Sequence, residues 1–135
     1  MELAKVNIIL ICLIVLTGCS THFFLEGSAL DSQGAYMEAA ELYEKAAKGK
    51  LKVEAYEALI PIYTELNAHE SALRSLDSLN SNIGLTKEQL FMKAEAHMAL
   101  AQYDLAKDAL EELDTSPEVI SRLNSINTIS SRQAD

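Results

Sequence analysis

Cysteine, proline, glycine, tryptophan and basic residues are all in short supply. The only cysteines among the 135 residues are Cys12, inside an apolar run, and Cys19 just after it, too few for a disulfide framework. The fold is therefore held by packing. Two prolines, five glycines and no tryptophan, set against abundant Ala, Leu, Glu and Lys, argue against a turn-rich β protein and give helical composition. Eleven Lys and Arg face twenty Asp and Glu, a net charge of −9. That balance argues against nucleic acid binding and against a polybasic contact with anionic lipid. The length suits one domain with a modest core.

The one long apolar run, Val6 to Leu16, follows the short head MELAK and stops at Gly18 and Cys19. A spanning helix needs about 20 apolar residues, and this run falls short. Charged head, apolar stretch and small residues before a break form the layout of a secretory signal segment, here residues 1–18. The alternative, an uncleaved membrane anchor, requires only a few more residues to be recruited. Leu16, Thr17, Gly18 and Cys19 resemble the bacterial lipobox. The resemblance implies a diacylglycerol on the Cys19 sulfur, removal of the preceding peptide and N-acylation, a covalent lipid rather than a cofactor. Two or three acyl chains give stable anchoring where one gives marginal binding. With Cys12 removed and Cys19 acylated, no thiol is left to pair. In lipoproteins of two-membrane bacteria Ser20 is the type of residue sent to the outer membrane, which implies the periplasmic face of that membrane.

Behind the cysteine the chain repeats itself. YMEAAELYEKAAK from Tyr36, HESALRSLDSL from His69 and YDLAKDALEEL from Tyr103 align, with Ala39, Ala72 and Ala106 spaced 33 and 34 residues apart. Each follows another amphipathic stretch, FFLEGSALDSQ, EAYEALIPIYTEL and KEQLFMKAEAHMAL, with Gly34, Asn67 and Ala101 at the turns. The pattern resembles the tetratricopeptide repeat, and the resemblance implies an all-α fold of three antiparallel helix pairs in a right-handed solenoid plus a C-terminal capping helix. Phe23, Gly27, Leu30, Tyr36, Ala39, Tyr43 and Ala46 carry the match in the first repeat. Leu90, Ala94, His97, Tyr103, Ala106, Leu110 and Leu113 carry it in the third.

The expected layout is a lipidated Cys and short tether at 19–22, a repeat domain at 23–128 and a frayed tail at 129–135. Within the domain, repeats fall near 20–49, 53–82 and 86–115, with a capping helix at 117–128. The second repeat departs from the pattern. Ile60 stands at a small position, where it pushes the pair apart or is taken up by a neighbour, and Pro61 is expected to kink or break its helix. Gly49 reads as a helix stop, Thr86 and Gln89 as a capping box, and Ser116 with Pro117 as an N-cap and first helical position. The tether of about three residues reaches roughly 10 Å at most, which holds the first repeat near the bilayer.

No catalytic constellation is present, so an enzyme is not expected. HESAL begins like a zinc-protease motif, but Leu73 stands where a second His is needed, and no metal site is expected. There is neither a nucleophile elbow nor a phosphate loop. His97 falls at a position between packed helices and reads as a satisfied core residue.

What remains is surface. In tetratricopeptide proteins the first helix of each pair lines a concave groove. Carried onto this chain, the lining includes Phe24, Asp31, Glu54, Glu57, Thr64, Glu65, Glu88, Phe91, Glu95 and Met98. The set has many carboxylates and no Lys or Arg, the reverse of a basic clamp for a peptide's terminal carboxylate. It suits a protein partner offering Lys or Arg beside apolar anchors, with aromatic contacts supplying most of the energy. The alternative is that these glutamates are a solvated helix face. The whole resembles small bacterial tetratricopeptide lipoproteins, among them pilotins and tight-adherence pilus assembly lipoproteins. That likeness implies a membrane-anchored interaction scaffold assisting pilus or secretion assembly with a secretin, pilus or other envelope component. The alternative is an adaptor that recruits cell-wall enzymes or another envelope complex.

Overall fold

A computed structural model describes residues 19–113 and 116–133. Among them there are seven helices and no strand. Helix α1 covers residues 19–32, α2 Tyr36–Ala46, α3 Lys52–Glu65, α4 His69–Ile83, α5 Lys87–Ala99, α6 Tyr103–Glu111 and α7 Pro117–Gln133. The chain divides into two compact units, with the boundary between Leu66 and Asn67. It falls inside the second repeat, the one that Ile60 and Pro61 make irregular.

In the first unit α1 and α2 meet through small residues. A Cβ on Gly27 would lie 3.3 Å from both Leu42 Cβ and the Tyr43 ring, so this position accepts nothing larger without adjustment. Ala39, Ala46 and Ala55 are fully buried, and Phe23, Phe24 and Tyr56 pack around Ala46, Ala47 and Ala55. The α1–α2 turn is closed by Gly34 at φ 75°, with the Ala35 amide donating to the Leu30 carbonyl at 3.0 Å.

α3 runs unbroken through Pro61, contrary to the expected interruption. Pro61 cannot donate to the Glu57 carbonyl four residues back, but both residues are exposed, so water can take that role. The Thr64 hydroxyl donates to the Ile60 carbonyl at 2.9 Å, adding a bond on the other side of the proline. Ile60 itself is buried.

In the second unit the three-residue connection after α5 folds α6 back against it, and α7 packs on α6. Ala94, Ala106, Ala109, Leu110, Val119 and Ile126 form one buried cluster, with Phe91, Met98, Tyr103, Leu113 and Leu123 around it. Val119 and Ile126 thus cover the apolar face of the last helix pair, the role expected of a capping helix. Ala101 turns the chain at φ 56°, and the Gln102 amide closes the turn on the His97 carbonyl at 2.9 Å. Gly34, Asn67 and Ala101 are all left-handed, at the same repeat position. Only alanine there carries the full steric cost of that conformation, about 1 kcal/mol.

The helix starts follow the sequence closely. Thr86 and Gln89 form the reciprocal capping box, and the Val119 amide donates to Ser116 Oγ at 3.4 Å. One end differs: α7 continues past residue 128 to Gln133, where a frayed tail was expected. No glycine or proline follows Pro117 to stop it, and Thr128 and Ser131 satisfy their hydroxyls on carbonyls one turn back.

Candidate functional site

Cys19 is exposed, and α1 is already helical there. The signal segment at 1–18 lies outside the described residues. The expected tether at 19–22 is corrected by the structure. Ser20 is 3% exposed and its hydroxyl donates to the Ala46 carbonyl at 2.9 Å. A Cβ on Gly49 would stand only 2.5 Å from Ser20 Cβ, so glycine is required there by close approach. The residue after Cys19 is thus built into the fold, and no slack chain separates the sulfur from packed helix. One turn on, His22 faces Glu26 at 3.6 Å, and Phe23 lies 5.8 Å beneath the Lys45 ammonium.

The ten expected partner-binding residues separate into two sets, one per unit. In the first unit Glu54, Glu57, Thr64 and Glu65 of α3 are exposed and Asp31 of α1 is half-buried. Phe24 is not an open anchor. Its ring meets Tyr43 edge-on at 5.1 Å and packs into the alanine cluster. Burial pushes the Tyr43 hydroxyl above its ordinary pKa, a hydrogen bond with Ser28 opposes this, and the Asp31 charge adds to the rise. Tyr63 donates to Glu44 across α2 and α3.

In the second unit Glu88 is exposed, whereas Phe91 and Met98 are half-buried against the core cluster. Above Phe91 sits a group that the helix-face reading missed. The Arg122 guanidinium of α7 lies 5.0 Å over the Phe91 ring, pairs with Glu95, and reaches Glu118 on its own helix at 3.7 Å. The signal for it was Glu118 and Arg122 at helical i, i+4 spacing, beside the apolar stripe of α7. His97 is 8% exposed, with Nδ1 2.7 Å from Gln102 Oε1, a satisfied core residue as expected. Among the described residues no cluster of three His, Cys, Asp or Glu could hold a metal ion, and no helix is long and apolar enough to cross a membrane.

The first tetratricopeptide domain of Spaghetti (RPAP3), bound to the HSP90 peptide SRMEEVD, superposes on 85% of this chain and 95% of its own, with a TM-score of 0.67 at 18% identity. The chain has the tetratricopeptide fold. MamA protein gives a TM-score of 0.69 at 20% identity over 83% of this chain and 64% of its own. The Sgt2 tetratricopeptide domain from Aspergillus fumigatus gives 0.62 at 18% identity over 86% and 82%. No protein-family model and no curated protein matches the sequence.

Proposed function

We propose that this chain is a protein–protein interaction scaffold of the bacterial envelope, anchored through acylated Cys19 at the periplasmic face of the outer membrane. The acidic first-helix face of one unit or the other meets a partner segment that carries Lys or Arg beside apolar side chains, in the service of pilus or secretion assembly. The observation that supports the partner's chemistry in this reading is Arg122. An arginine stacked on Phe91 and paired with Glu95 is the chemistry such a partner would bring, made here by the chain's own last helix. The fold supports it, since Spaghetti (RPAP3) uses the same fold on a peptide. That peptide has three acidic residues and one arginine, whereas the exposed carboxylates of the expected lining here, Glu54, Glu57, Glu65 and Glu88, favour the opposite charge in the partner.

Phe24, Phe91 and Met98 are committed to packing and Glu95 to Arg122, so Glu54, Glu57, Glu65 and Glu88 are the free carboxylates. The test is crosslinking in cells with Glu54, Glu57 and Glu88 changed to Lys. The expected outcome is loss of the captured partner with the helical content unchanged. Capture at the wild-type level rejects the acidic faces as the contact. The captured protein decides the pathway: a secretin or pilus component supports assembly, and a cell-wall enzyme supports the adaptor role instead.

A further inference from the structure

The net charge conceals a local reversal. Lys45, Lys48, Lys50 and Lys52 are four of the eleven basic residues, with no acid between 45 and 53, and the rest of the chain carries −13 once they are set aside from −9. All four are exposed, and none makes an ion pair among the described residues. The carboxylate next to the stretch in sequence is engaged elsewhere: Glu44 accepts from Tyr63. Glu41 and Glu54 flank the stretch and are exposed.

The position of this stretch gives it meaning. Ser20 is buried on Ala46 and Gly49, so the α2–α3 connection, which bears Lys48 and Lys50 and is flanked by Lys45 of α2 and Lys52 of α3, packs on the residue next to Cys19. Lys45 sits over Phe23, which is one helical turn from Cys19 and shares its face. We propose that these four lysines form a basic collar that docks on the anionic headgroups of the bilayer holding the acylated cysteine. This rests on the anchor reading above. An acyl chain inserted at Cys19 holds Ser20 and the connection packed on it toward the headgroups, whose surface potential acts on lysine over a Debye length of about 8 Å. Juxtamembrane polybasic segments are attracted in this way, and the strongly acidic remainder of the chain is repelled by the same surface. The lipid supplies adhesion and the collar supplies orientation.

The test uses full-length protein purified from membranes and reconstituted in vesicles of phosphatidylcholine, with or without phosphatidylglycerol. Lysines are labelled with a water-soluble acetylating reagent and read by peptide mass spectrometry. Labelling of Lys45, Lys48, Lys50 and Lys52 is expected to slow several-fold on the anionic vesicles and recover in high salt, with Lys87, Lys93 and Lys107 unchanged. Equal labelling on both vesicles, with acyl mass present on Cys19, overturns the collar and leaves the anchor standing. Protection by soluble polyglutamate but not by anionic vesicles also overturns it, in favour of an acidic protein. Absence of acyl mass on Cys19 overturns the anchor and the collar together.

Discussion

Ser20 and Gly49 compete for the same space, and only the absence of a side chain at 49 lets the serine hydroxyl reach the Ala46 carbonyl. Gly49→Ala sets a methyl against Ser20 and is expected to cost about 1–3 kcal/mol through overpacking. Ser20→Ala is milder, about 1 kcal/mol or less, because the Ala46 carbonyl keeps the Gly49 amide at 3.0 Å. Urea unfolding of the detergent-solubilised protein measures both, and equal costs would reject close approach as the reason for the glycine. The sequence reads Gly49 as a helix stop, but α2 already ends at Ala46 and Gly49 is not left-handed, so its reason, the approach of Ser20, was not legible. Close approach depends on a partner far away in the chain, and neither composition nor periodicity encodes which segments meet.

At the scale of the helix, α7 shows which interactions hold an element and which only decorate it. Ile126 is fully buried, and Ile126→Ala is expected to cost about 2–5 kcal/mol as lost transfer energy plus a cavity. Arg122 and Glu95 keep about 36% and 54% of their side chains exposed, so water screens the pair. Arg122→Gln is expected to cost about 1 kcal/mol, counting both the ion pair and the ring contact. A loss from Arg122→Gln matching that of Ile126→Ala in urea unfolding would reverse this order. The helices themselves were legible because the 3.6-residue period, the Thr86–Gln89 box and the Ser116–Pro117 start are local signals. The glutamates on exposed faces were legible for the same reason. The inward turn of Phe24, Phe91 and Met98 was not, because an aromatic on a helix face is an anchor or a core residue according to what packs over it. For Phe91 that is Arg122 of α7, 31 residues downstream.

For the whole molecule, the question is what joins the folded part to its surroundings. With Ser20 buried, Cys19 has no flexible spacer, so a lipid on its sulfur and the start of α1 move as one body. Cys19 makes no disulfide and its side chain is free at the surface, so removing the sulfur leaves the packing untouched. Cys19→Ala is therefore expected to abolish incorporation of a labelled fatty acid in cells while keeping the circular dichroism and urea midpoint of the wild type. Detergent partitioning alone is a weaker readout, because a variant that escapes processing keeps the apolar run Val6–Leu16 and can remain with membranes through it. Fatty-acid label persisting on the variant would place the lipid elsewhere. Loss of both label and fold would show Cys19 to be structural, against the exposed position it holds at the first described turn of α1.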